Sequence, residues 1–152
     1  VSSSISDGVA GTTMSRMKKL AFLLLMIAVV LPARASDDEK IRAAALDYAE
    51  GWYEGNAARM TRALHPDLAK RIVSPDGTVK NMTAAQLIEA TGKGYGKNTP
   101  ADKQLKEVRI LDQFGNAAVV RLEMAGWIDY LELGRFGDEW KIVNVLWERK
   151  HL

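Results

Sequence analysis

Residues 104–149 read QLKEVRILDQFGNAAVVRLEMAGWIDYLELGRFGDEWKIVNVLWER, and this stretch decides the fold. It holds four β-type runs, over about 104–112, 117–125, 127–135 and 139–149, rich in Val, Ile, Leu, Tyr and Trp. Phe114-Gly115-Asn116, Gly126 and Phe136-Gly137-Asp138 divide them. Strands joined by connections this short predict an antiparallel meander. Gly126 lacks a full turn signal, so it reads as a bulge or as a bend that lets one long strand curve.

Upstream of the strands the apolar period changes from two to the helical three-and-four spacing. Ser36-Asp37-Asp38-Glu39 has the form of a capping box with acids in the first turn. Ile41, Ala44, Ala45, Tyr48, Ala49, Trp52 and Tyr53 then share one helical face, and Gly55 suits a left-handed C-terminal cap. Asn56 caps a second, short helix that His65-Pro66 stops, because the residue before proline avoids the α region. Two short β-type runs, Lys70 to Val73 and Thr78 to Met82, flank the turn Pro75-Asp76-Gly77. Thr83-Ala84-Ala85-Gln86 opens a third helix with Ala84, Leu87, Ile88 and Thr91 on one face, and Gly92, Gly94, Gly96 and Pro100 form the loop after it. Helices first and a meander after them predict the α+β class, with the helices on one face of the sheet.

The chain of 152 residues has the length of one domain, and its first 35 residues read as something other than fold. Met14 or Met17 is the expected start, followed by a basic segment, Arg16 to Lys19, and an apolar run from Leu20 to Leu31. A helix over that run covers about 18 Å, short of a ~30 Å hydrocarbon core, so a cleavable signal peptide is the better reading than a membrane span. Pro32 ends the run, and Ala33-Arg34-Ala35 offers the small residues for cleavage before Ser36. The expected organisation is upstream residues and signal peptide over 1–35 and a single domain over 36–152, exported to the periplasm or the medium, with no stable membrane association after cleavage.

Charge and cysteine content exclude several functions. Four of the 21 Lys/Arg and one of the 19 Asp/Glu lie in residues 1–35, leaving 17 against 18, so the domain carries about −1 and has no field for nucleic acid. The absence of cysteine removes disulfides and thiol catalysis. Gly92-x-Gly94-x-Gly96 follows a helix and lacks the Gly-Lys-Ser/Thr ending of a phosphate loop. With one histidine, His65, inside the domain and His151 in the tail, a protein-built metal site is not expected, nor is any cofactor.

Asp47-Tyr48-Ala49-Glu50-Gly51-Trp52-Tyr53-Glu54-Gly55-Asn56, Leu64-His65-Pro66, Asp129-Tyr130-Leu131-Glu132-Leu133 and Trp140-Lys141-Ile142-Val143-Asn144, in this order and spacing, resemble the "putative lumazine-binding" branch of the nuclear-transport-factor-two-like superfamily. The resemblance covers nearly all of 36–152. It implies a cone-shaped roll in which a long helix and two shorter ones are cupped by a curved antiparallel sheet around a pocket, often as a homodimer. Members include ketosteroid isomerases, dehydratases, polyketide-cyclase-like enzymes and transport adaptors, so a function must be argued from pocket residues.

Strand alternation puts Asp129 on one face with Trp127, Leu131 and Leu133. In an apolar cone this carboxylate would be desolvated, its pKa would rise, and it would suit a general base; at the rim, or paired with Arg121, it would be structural. His65 either faces the cone mouth as the acid partner of Asp129, or ends its helix on a backbone carbonyl. Tyr48, Trp52, Tyr53, Trp127 and Trp140 suit a flat ligand and also suit a small core. Asn144 shares a predicted face with Trp140, Ile142 and Leu146, where a buried amide needs a partner. These residues support three readings: an exported small-molecule-binding domain with Tyr48, Trp52, Trp127, Trp140 and Asn144 at the ligand; a cofactor-independent isomerase or dehydratase using Asp129 and His65; or a dimeric protein-interaction module.

Overall fold

A computed structural model gives the fold over residues 35–150, all within one compact unit. The expected signal peptide and upstream segment lie outside the described residues, apart from Ala35. Helix α1 spans Asp37–Glu54, α2 Ala57–Ala63 and α3 Ala84–Gly92. The strands are β1 Leu64–Val73, β2 Val79–Thr83, β3 Lys106–Phe114, β4 Ala117–Met124, β5 Trp127–Phe136 and β6 Glu139–Arg149, with one 3-10 turn at Ala101–Lys103.

Local chemistry sets the helix ends. At α1 the Ser36 amide donates to Glu39 Oε2 at 2.7 Å and the Glu39 amide donates back to Ser36 Oγ at 3.3 Å. Thr83 and Gln86 repeat this exchange at α3, and each such cap stabilises its helix by about 1 kcal/mol. Gly55 closes α1 at φ 65°, a left-handed conformation that costs glycine nothing. Arg59 of α2 binds back to α1, with Nε donating to Asp47 at 2.9 Å and its terminal nitrogens to Glu50 and Glu54. The second helix ends at Ala63, one residue earlier than the His65-Pro66 stop predicts, and His65 belongs to β1.

The six strands form one sheet in the order β2-β1-β6-β5-β4-β3. The expectation of a purely antiparallel sheet needs correction: β1 runs parallel to β6, and every other neighbouring pair is antiparallel. The reason is that the first and last strands meet inside the sheet, a pairing across at least 75 positions, as between Lys70 and Val145, that no local turn dictates. Ala125-Gly126 is a tight connection between two separate antiparallel strands, with Glu123 opposite Ile128, rather than a bend within one.

Helix α1 packs on β3, β4 and β6 through Ile41, Ala44, Ala45, Tyr48, Ala49 and Tyr53, which meet Val120, Leu122, Met124, Leu131, Leu133, Ile142 and Val145 in one core. Tyr53 ties the layers further: its hydroxyl donates to the Leu105 carbonyl and accepts from the Ala125 amide, both at 2.9 Å. Among the described residues no helix is long and apolar enough to cross a membrane.

Candidate functional site

In β1, alternation places Leu68 and Lys70 on the inner side, so a lysine follows a leucine into the interior. Lys70 is 8% exposed and Asp129 is fully buried. Lys70 Nζ donates to Asp129 Oδ1 at 2.5 Å and to the Tyr48 hydroxyl oxygen at 2.6 Å, while the Tyr48 hydroxyl donates to Asp129 Oδ1 at 3.2 Å. The ammonium also lies 4.8 Å from the centroid of the Trp147 ring and 5.3 Å from that of Tyr48, within cation–π range. Asp129 Oδ2 is buried and has no hydrogen-bond partner.

Lys70, Tyr48 and Trp147, but not Asp129 behind them, form one wall of a cavity of about 470 Å³, lined by Tyr48 and Trp52 of α1, Lys70 of β1, Met82 of β2, Leu87 of α3, Met124 of β4, Gly126, Trp127 of β5, and Trp147 and Arg149 of β6. Its size falls in the range that holds small organic ligands. Trp127 stands edge-on to Trp52, with centroids 6.1 Å apart, and to Trp147 at 6.4 Å, so three indoles form a continuous aromatic wall.

Burial pushes the Lys70 ammonium below its ordinary value of 10.5, against the opposing pull of the Asp129 carboxylate. Burial, and then the Asp129 charge, push the Tyr48 phenol well above its ordinary 10.0. A phenol whose folded-state pKa is raised contributes stability that is complete below the unfolded value and is lost as pH rises past it. Tyr48→Phe is therefore expected to lose less stability above about pH 10 than the parent protein does, as read from urea midpoints across the alkaline range. Equal alkaline slopes in the two proteins would show that the Tyr48 phenol does not couple to folding.

The structure brings Tyr48, Trp52 and Trp127 together around the cavity and sets Asp129 behind Lys70 and Tyr48. Arg121 is not the partner of Asp129; it pairs with Glu123. The other three sequence-predicted residues lie elsewhere. Trp140 is buried away from the cavity, and its indole N–H donates to Asp37 Oδ1 at 3.1 Å, anchoring the start of α1. His65 accepts the Asp67 amide at Nδ1 and stacks on Phe136 with centroids 4.6 Å apart. Phe136 is seven residues beyond Asp129 along β5, roughly 23 Å of strand, so the predicted Asp129–His65 pair is not assembled.

Asn144 requires the clearest correction. Glu132 pairs with Asn144 and Leu133 with Ile142, so Val143 is an extra residue that bulges β6. The bulge reverses which side of the sheet the later residues face: Trp140 and Ile142 point inward before it, and Val145 and Trp147 after it. Asn144 instead lies in a groove on the outer face with Tyr130, Glu132 and Leu146, where its amide donates to Glu132 Oε2 at 3.0 Å. The same shift puts Trp147, absent from the sequence-predicted set, into the cavity wall. The signal was present in the strand itself, because strict alternation buried an asparagine and exposed a tryptophan, and one extra residue resolves both costs. Lys70 was also missed; its signal was its period-two spacing from Leu68.

No three His, Cys, Asp or Glu side chains gather to hold a metal among the described residues.

A six-stranded mixed sheet with three helices packed on it is a fold that this chain shares with solved NTF2-like proteins. An NTF2-like protein of unknown function from Shewanella baltica superposes with a TM-score of 0.63 at 18% identity, covering 76% of this chain and 95% of that one. Another, from Methylobacillus flagellatus, gives 0.59 at 20% identity over 78% of this chain and 97% of that one. A third, from Silicibacter pomeroyi, gives 0.58 at 14% identity over 76% and 100%. At these identities the likeness speaks for the fold. Within this class the chain belongs to the family described as "Putative lumazine-binding", which matches residues 36–148. No curated protein matches the chain.

Proposed function

We propose that the domain binds a small, flat, largely apolar organic molecule between α1 and the inner face of the sheet. The observation that carries this reading is the cavity of about 470 Å³ with a wall of three tryptophans and one polar corner, Tyr48 with Lys70. In this reading the helices and the bent sheet form a cone whose mouth lies near the exposed Met82 and Arg149. The ligand stacks on the indoles and turns its polar edge toward Lys70 and Tyr48. A lumazine, the bicyclic heterocycle in the family's description, is one molecule of this shape. Export through the leader over 1–35 is part of the same proposal. An isomerase or dehydratase resting on Asp129 with His65 is not, because Asp129 lies near the start of β5 while His65, on β1, stacks on Phe136 at the other end of β5.

The test uses protein recovered from the periplasmic or culture fraction of its host, with Ser36 as its first residue. Its tryptophan fluorescence is titrated with lumazine and with 2-naphthylmethanol. Saturable quenching is expected with at least one probe, and Trp127→Ala should weaken that binding about tenfold. Absence of saturable quenching by either probe, together with no small molecule retained in native mass spectra of the purified protein, would refute the reading.

A further inference from the structure

We propose that Lys70 is a covalent docking group, whose amine condenses with the carbonyl carbon of a small aromatic aldehyde or ketone in the cavity to form a protonated imine. This rests on the ligand-binding reading and names the ligand's reactive group. Among the described residues, Asp129 and Lys70 are the charged ones that are buried, and Lys70 lines the cavity where Asp129 does not. A lysine there has traded water for a buried, largely apolar corner, and such desolvation favours the neutral amine that acts as a nucleophile. A buried ion pair alone adds little to stability over apolar residues of the same volume, so the pair calls for a reason other than folding. The lowering of Lys70 by burial agrees with this role.

The proton carriers are in place. Asp129 Oδ1, at 2.5 Å, takes a proton from the ammonium and frees the lone pair on Nζ. That lone pair forms the new C–N bond as the carbonyl π bond breaks. The Tyr48 hydroxyl, at 2.6 Å from Nζ, gives its proton to the carbonyl oxygen and recovers one from the nitrogen, leaving a neutral carbinolamine. The Asp129 carboxyl then passes its proton to the Tyr48 hydroxyl, 3.2 Å away, which delivers its own to the carbinolamine hydroxyl; the C–O bond breaks, and water departs. The product is an iminium beside a carboxylate, so the charge pattern equals that of the starting ammonium and carboxylate. No oxidant or further reactant is needed. The three indoles supply the stacking surface for the aromatic part of the carbonyl compound.

The protein is incubated with 2-naphthaldehyde at neutral pH, reduced with borohydride and digested, and the modified lysines are mapped by peptide mass spectrometry. The expected result is a naphthylmethyl group on Lys70, accumulating at least about tenfold faster than on any other lysine. Lys70→Arg keeps a cation against Asp129 but cannot form an imine. It should lose this adduct, while the parent protein supplies the binding control by quenching with 2-naphthylmethanol, the unreactive alcohol of the same shape. Labelling spread over surface lysines without preference for Lys70, alongside saturable quenching by the alcohol, would overturn the covalent step and leave ligand binding standing. If neither the aldehyde nor the alcohol engages the cavity, both readings fall.

Discussion

Asp129→Ala is expected to lower the free energy of unfolding by about 3–5 kcal/mol, the usual cost of removing one partner of a buried ion pair. The carboxylate is fully buried and Lys70 is 8% exposed, so the ammonium left behind can neither hydrate nor find another anion. Lys70 responds by shedding its proton, which gives the loss a pH signature. The unfolded chain holds that proton up to about pH 10 while the folded variant has released it, so the unfolded state binds more protons and the variant's stability rises with pH. Urea unfolding at pH 6 and pH 9 should show a smaller deficit at the higher value. Removing both charges, as in Asp129→Leu with Lys70→Met, should recover most of the loss, because apolar residues of similar volume commonly equal such a pair. A single variant within about 0.5 kcal/mol of the parent would mean that the pair is solvated.

Gly96→Ala is the second large effect expected. Gly96 is buried, and a methyl group there would overlap the Trp52 carbonyl oxygen and stand 2.5 Å from its ring Cδ1. The nearest atom belongs to helix backbone, which cannot swing aside as a flexible side chain would. The loop after α3 or the C-terminal turn of α1 must therefore shift, at a cost of about 3 kcal/mol, the upper end of ordinary overpacking. Because Trp52 also forms part of the cavity wall, the change should redden its emission and weaken planar probes as well as lower the urea midpoint. Parental stability with unchanged probe affinity would contradict the packing described for this loop. The Gly92-x-Gly94-x-Gly96 spacing, which looks superficially like a phosphate loop, thus has a packing explanation at Gly96.

Much of the architecture was legible because it is written in neighbouring residues. Ser36 with Glu39 and Thr83 with Gln86 cap helices across three positions, and Gly115 and Gly137 adopt φ 58° and 63° in the turns where the glycines predict strand breaks. Alternation over 127–133 correctly sends Asp129, Leu131 and Leu133 to one side. The same rule failed in β6, where the bulge at Val143 interrupts the period, and it put Asn144 and Leu146 on the face of Trp140 and Ile142, whereas both lie on the outer one. His65 and Trp140 carry chemistry suited to a site, but their partners, Phe136 and Asp37, come from parts of the chain that local spacing does not connect to them.

By itself, then, the sequence determined the class, the order of the elements, the caps and turns, and the inward aim of Asp129, all of which rest on interactions a few residues long. Only the tertiary structure decided that β1 lies parallel to β6 and that Lys70 meets Asp129 across 59 positions. Such pairs are chosen by the burial of whole faces and by the need of each buried charge for its opposite, and those energies exist only once distant segments have packed together.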